Sequence, residues 1–564
     1  MEKSMTHSFD RRSFMKIGAA TLAAHQLWLP AYAEEPLWST QTVGPFVDVE
    51  IGSGRIRGGH SRGALAFKGI PYAGSVSGKN RFKAAPKVEP WSGVRDATLL
   101  GPPALQGKGG TYGEHEPAYS EECLVLNVWT PAVKDGGKRP VMLYCHGGGF
   151  TAGSGGQGIQ DGSHLAATYD VVVVAINHRL GLFGFLYLGE LGGEEYATSG
   201  NQGMLDIVAA LRWVKENIDV FGGNSDNVMV FGESGGGAKT SALLAMPSAH
   251  GLFHKAGIQS GAMLRGTSKN VATETARRVL AGLEIAPGDL NKLAGLPAEK
   301  LMSIQLAAPG PLQIPTKEYL ASHPNSPAGG DFSGESRPGS WGPVVDGTYL
   351  PRDPFNPAAT PLSANIPLLI GNTHDEMLLF IRENVGFFHA DEAAVAQSIR
   401  QRFGDQADRI LAEYRKTMPN ATPVERAVAI LTASAMGKST VTLADRKSLQ
   451  RAPVYRYRYD YQSNVPIKGT DWTLRACHAS DISLVFLNFD LPDLQGNGPG
   501  LAEASKAMSS YFTSFARHGV PSAQGQPAWL RYRTENRPVM LINSVCQVAY
   551  DPDGDERMFW QSLA

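Results

Sequence analysis

Short apolar runs closed by glycine, proline or asparagine recur along this chain. Residues 141–146, 171–177, 228–231 and 366–371 scarcely alternate between apolar and polar positions. A strand wetted on one side alternates, whereas an unbroken run suits a strand buried on both faces, as in a parallel sheet. Residues 454–459, Val-Tyr-Arg-Tyr-Arg-Tyr, do alternate; 47–51 and 55–59 predict an N-terminal hairpin, and 124–130 a further strand. Between these runs, 206–217 carries apolar residues at helical spacing, and 237–246 is a Gly/Ala-rich helical stretch. Strands interleaved with helices predict an α/β fold, with a large, mostly parallel central sheet flanked by helices. Residues 263–340 turn amphipathic and then rich in Pro, Gly and Ser, and 391–450 are largely helical. These insertions are expected to cap the sheet and wall a cleft, with 324–338 a mobile loop.

Composition narrows the class. With 42% hydrophobic and 19% charged residues the chain can build one large core. Its 52 basic and 53 acidic residues leave no basic excess, which argues against nucleic-acid binding. No apolar run beyond the N-terminus is expected to span a bilayer. Four cysteines, Cys123, Cys145, Cys477 and Cys546, do not make a disulfide scaffold, and small buried thiols are the expectation. There is no internal repeat and no metal-ligand cluster, and oligomeric state is not legible.

Gly232-Glu233-Ser234-Gly235-Gly236 follows the run 228–231 and opens the second helical stretch. A sharp strand-to-helix turn of this kind presents a serine hydroxyl above a sheet, and it tolerates almost no Cβ two positions either side. Upstream, the strand 140–145 ends in His146-Gly147-Gly148-Gly149-Phe150, whose exposed N–H groups suit an oxyanion. Gly147 and Gly148 are the expected donors, with Gly235 as the third. A serine needs an imidazole to take its proton and a carboxylate to orient that imidazole. In this order of elements the acid and base come later in the chain, on loops after strands. The run 366–371 delivers Asn372-Thr373-His374-Asp375-Glu376, which leaves Asp375 and Glu376 about equal as the acid. Ala476-Cys477-His478-Ala479-Ser480-Asp481 offers His478 as the base.

Together with Phe67-Lys68-Gly69-Ile70-Pro71-Tyr72, Ser120-Glu121-Glu122-Cys123-Leu124, Asn177-His178-Arg179-Leu180-Gly181, Gly200-Asn201-Gln202-Gly203 and Phe221-Gly222-Gly223-Asn224, these motifs resemble the type B carboxylesterases. That family includes para-nitrobenzyl esterases, liver carboxylesterases, cholinesterases and neuroligins. The resemblance implies an α/β-hydrolase fold, a serine esterase working through an acyl-enzyme without a cofactor, and a small-molecule ester as partner. It implies Ser234 as nucleophile, His478 as base and Glu376, the second carboxylate of its pair, as acid. It implies ion pairs Arg81–Glu121 and Arg179–Asp206, a hydrogen bond from Ser260 to the acid, and Glu233 and Asp481 near the triad. Members with a cysteine partner for the counterpart of Cys123 have it where Ala104 stands here, so no such bridge is expected. The loop 105–122 holds Tyr112 and Tyr119 but no Trp, which disfavours choline esters. Three glycines before Phe150 resemble the oxyanion loops of esterases that accept bulky, even tertiary, alcohols. A silent neuroligin-like binding module would show a damaged triad, whereas a hydrolase of amides, carbamates or lactones would keep it intact.

Residues 1–33 read as an address. Asp10-Arg11-Arg12-Ser13-Phe14-Met15-Lys16 resembles a twin-arginine export signal, a mildly apolar stretch follows, and Ala31-Tyr32-Ala33 is a small-x-small cleavage site. The expectation is a periplasmic or secreted protein whose mature chain, 34–564, is one domain without stable membrane insertion.

Overall fold

The computed structural model describes residues 43–107, 117–307, 336, 338–491 and 493–563. The leader, Tyr112 and nearly all of the loop expected over 324–338 lie outside the described residues. The described residues belong to one compact unit, Thr40–Ala564.

A thirteen-stranded sheet forms the centre. Its strands are β1 (Val43–Ile51), β2 (Gly54–Ser61), β3 (Ala64–Pro71), β4 (Val94–Asp96), β5 (Val125–Thr130), β6 (Arg139–Cys145), β7 (Val172–Ile176), β8 (Gly223–Glu233), β9 (Lys255–Gln259), β10 (Leu368–Thr373), β11 (Val454–Tyr459), β12 (Pro538–Ile542) and β13 (Gln547–Tyr550). The spatial order is β1-β2-β3-β5-β7-β6-β8-β9-β10-β11-β12-β13, with β4 on β2. From β7 to β12 every neighbouring pair is parallel. The flanks, including the expected hairpin β1–β2, are antiparallel, apart from β4, which runs parallel to β2.

The helices used below are α1 (Gln202–Asn217), α2 (Gly235–Leu243), α3 (Glu392–Phe403), α4 (Ala407–Thr417), α5 (Pro423–Thr432), α6 (Lys438–Ser448) and α7 (Leu501–His518). Along β6, Val141, Leu143 and Cys145 enter one core layer, and Met142 and Tyr144 the opposite one. β8 divides the same way, Val228 and Val230 against Met229 and Phe231. Helix α1 covers the first face with Ile207, Leu211 and Val214, and α7 the second with Met508, Phe512 and Phe515. Burial on both faces is the physical reason these runs do not alternate. Helices α3 to α5 build a further cluster around Ile399, Ile410 and Ile430, joined by Phe559 and Trp560, whereas α6 puts Leu443 and Ala444 into the first layer.

Two boundaries differ from the sequence pattern. β10 runs on to Thr373, and α2 starts at Gly235, immediately after the serine. The expectation about apolar runs is corrected as well. The helical run Pro423–Ser448 is long and apolar enough to cross a membrane, but 78% of its most apolar window is buried inside the protein, as in a core helix.

Parallel strands bring their carboxyl ends to one edge, and the register aligns the segments that carry the motifs. Cys145 pairs with Gly232, Glu233 with Gln259, and Gln259 with Gly371. Bidentate pairs of Arg179 with Asp206 (2.7 and 2.8 Å) and Arg81 with Glu121 (2.5 and 2.6 Å) tie down the surrounding loops. All four cysteines are free and buried.

Candidate active site

Ser234 joins β8 to α2 with φ 55° and ψ −121°. An L-residue held there costs about 1–3 kcal/mol, so its surroundings must enforce it. Its N–H donates to the Gln259 carbonyl (2.8 Å) and its carbonyl accepts from Ala238 N–H (3.0 Å). The flanking glycines answer to packing. A Cβ on Gly236 would overlap the Cys145 carbonyl oxygen, and one on Gly235 would overlap the Gly149 carbonyl oxygen. The end of β6 thus lies directly against the turn.

The loop after β6 bends through Gly148 and Gly149, at φ 81° and 62°. It is closed by Thr151 and Ala152 N–H groups on the Gly148 carbonyl, at 3.3 and 3.0 Å. A Cβ on Gly147 would stand 3.6 Å from Ser234 Cβ and 2.9 Å from Glu233 Oε2, which places this loop beside the hydroxyl. Among the described residues no acceptor takes the N–H of Gly147, Gly148 or Gly235. Three unspent donors at a helix N-terminus and a glycine turn suit a developing anion.

Of the two adjacent carboxylates, the structure turns Glu376 to the imidazole. Glu376, fully buried, accepts from Thr373 N–H through Oε1 (2.8 Å) and faces His478 Nδ1 through Oε2 (2.5 Å). Asp375 instead approaches the half-exposed His374 at 3.1 Å. His478 N–H reaches the Glu376 carbonyl at 3.3 Å, and the Phe380 ring lies 4.9 Å from the imidazole.

Two expected contacts are absent. His478 Nε2 has no hydrogen-bond partner, so the Ser234–His478 bond is not formed; Nε2 lies 3.1 Å from Glu233 Oε1, drawn by that second carboxyl without aligning on it. Nor does Ser260 bond the acid. Its hydroxyl has no partner, its backbone is held at φ 49° with its N–H on the Gly371 carbonyl (2.8 Å), and Thr373 serves Glu376 Oε1 instead.

Three buried carboxyl groups surround one imidazole, and burial decides which carry charge. It pushes Glu233 up to about 8, against the attraction of His478, and Asp481 up to about 6. Burial pulls His478 down, but the facing carboxylates of Glu233 and Glu376 outweigh it and move it up. Burial thus favours the protonated form of Glu233, and charge on the imidazole opposes it.

Sequence reasoning missed the support for Asp481. Its Oδ2 accepts from Gln259 Nε2 (2.9 Å) and Tyr457 Oη (3.0 Å). Gln259 thereby ties Asp481 to the Ser234 turn, and its place beside Glu233 in the register was the available signal. Among the described residues no group of three or more His, Cys, Asp or Glu could hold a metal ion.

Residues 44–560 match the model of the carboxylesterase family. A para-nitrobenzyl esterase of Bacillus subtilis (strain 168) is 35% identical over 511 residues, 89% of this chain and 96% of that one. A liver carboxylesterase of Sus scrofa is 31% identical, across 95% of this chain and 96% of the relative. The solved structure of a Geobacillus stearothermophilus carboxylesterase superposes with a TM-score of 0.76 at 37% identity, covering 91% of this chain and all of the other.

Proposed function

The chain belongs to the carboxylesterase family and hydrolyses carboxylic esters, and on that premise we propose that Ser234, His478 and Glu376 carry the reaction. His478, oriented by Glu376, takes the Ser234 proton as the hydroxyl attacks the ester carbonyl. Gly147, Gly148 and Gly235 N–H groups receive the oxyanion; His478 then protonates the leaving alcohol, and water repeats the sequence on the acyl-enzyme. For this the imidazole must swing from Glu233 toward the serine. A proton on Glu233 eases that step, since a neutral carboxyl holds the ring less strongly than a carboxylate. The observation that carries the reading is the 2.5 Å contact of His478 Nδ1 with Glu376 Oε2 beside a serine at positive φ.

Esters with bulky alcohol groups are the proposed substrates, on the strength of the three-glycine loop before Phe150. Matched ester and amide substrates separate this reading from hydrolysis of amides, carbamates or lactones. We also place the protein in the periplasm or outside the cell, supported by the twin-arginine pattern and Ala31-Tyr32-Ala33, with no stable membrane insertion after cleavage. Ser234→Ala tests the central assignment. It should abolish turnover of para-nitrophenyl butyrate with thermal melting unchanged, and near-native turnover would overturn the assignment.

A further inference from the structure

Five residues after the serine, on the second turn of α2, stands a lysine with no exposed surface. Its neighbours on this helix are Gly, Ala, Ser, Thr and Leu. A cation is badly placed here on two counts, because burial strips its hydration and the N-terminal end of a helix is the positive end of the dipole. Among the described residues Lys239 forms no salt bridge that would offset this. What it has is one hydrogen bond, from Nζ to the His146 carbonyl (2.8 Å), and the face of the Phe150 ring, 5.7 Å away.

The acceptor gives the lysine its meaning. The His146 carbonyl and the Gly147 N–H are the two ends of one peptide group. A peptide is planar and trans, so holding its oxygen fixes the opposite direction of its N–H. A donor on the oxygen also draws electron density from the nitrogen and strengthens the N–H as a donor. The rings of His146 and His178 stack behind the same loop, 4.9 Å apart, and burial together with Lys239 holds both well below the ordinary imidazole range. In this cluster the lysine is therefore the most basic group, although burial lowers it to about 7 while Cys145 and Glu233 pull the other way.

We propose that Lys239 is a positioning residue for ester hydrolysis: through the His146 carbonyl it locks and polarises the 146–147 peptide, so that the Gly147 N–H is aimed at the oxyanion. This rests on Ser234 as nucleophile and Gly147 as oxyanion donor. A lysine that merely satisfied a buried carbonyl would affect stability and leave transition-state binding untouched.

The test uses Lys239→Met, which keeps the shape and removes the donor, and Lys239→Gln, a neutral donor that safeguards the experiment if the first variant fails to fold. Active sites are counted by the para-nitrophenol burst with para-nitrophenyl diethyl phosphate. Per counted site, kcat for para-nitrophenyl butyrate should fall ~10- to 100-fold in Lys239→Met, less than or comparable to losing an oxyanion donor outright, with KM changed less than about threefold. The inhibition constant of an alkyl trifluoromethyl ketone, which forms an oxyanion on the serine, should rise by the same factor as kcat/KM falls. Lys239→Gln should lie between Met and native on both readouts. Per-site kcat and ketone inhibition within about twofold of native in the variants that fold would overturn the proposal. If Ser234→Ala, run alongside, keeps native turnover, the nucleophile assignment fails; if it is inactive while Lys239→Met is native-like, only the role of the lysine fails.

Discussion

Replacing Glu376 by Gln is the smallest change that attacks the orientation of the base. The native carboxylate accepts twice, from Thr373 N–H at 2.8 Å and from His478 Nδ1 at 2.5 Å. Thr373 N–H can only donate, so the amide oxygen of Gln must stay on that side, which turns the NH2 toward Nδ1. Two donors cannot face each other. The ring then gives up its Nδ1 proton and carries one on Nε2, the nitrogen that has to receive the serine proton. A triad held in the wrong tautomer loses ~10⁴-fold in kcat, or ~5.5 kcal/mol at 1.36 kcal/mol per decade. The assay is kcat and KM for para-nitrophenyl butyrate together with thermal melting. The expected result is a loss of about four decades in kcat with KM little changed. A kcat within about tenfold of native, in a variant that melts like the native protein, would refute the tautomer argument.

Arg179→Met leaves the fully buried Asp206 carboxylate without its bidentate partner, so urea unfolding should show a loss of ~3–5 kcal/mol, and adding Asp206→Leu should recover part of it. Glu233→Gln bears on the pH dependence of stability. The Glu233 carboxyl lies at about 8 in the fold against an ordinary 4.5, so the folded state binds its proton more tightly, and that contribution is complete below 4.5 and lost as pH rises through 8. The melting temperature of Glu233→Gln relative to native should therefore climb between those limits and level off above them; a flat difference would refute the raised value.

The nucleophile turn and oxyanion loop were legible because packing leaves glycine no substitute there. A Cβ on Gly236 would strike the Cys145 carbonyl, and that constraint writes the same residue types wherever such a turn occurs. The sheet was legible because strands buried on both faces print unbroken apolar runs. The acid was less so. Asp375 and Glu376 are adjacent in a loop, and what separates them is the two extra residues of β10, whose last N–H, on Thr373, anchors Glu376 Oε1. Resemblance to a family chose Glu376, the one whose carboxyl faces His478, yet it also assigned Ser260 a bond that is not formed here. Nothing in the pattern announced Lys239, since a lysine in a helix is ordinarily solvated, and its total burial follows only from the closeness of β6 to α2. The contact of His478 with Glu233 is likewise tertiary, joining residues 245 positions apart.

The most direct measurement exposes the native protein to a fluorophosphonate, follows residual esterase activity, and maps the adduct by peptide mass spectrometry. The account predicts one adduct per chain, on Ser234, appearing in step with the loss of activity and suppressed in His478→Ala. Esterase activity that survives complete modification of Ser234, or inactivation through an adduct on a different serine, would contradict it.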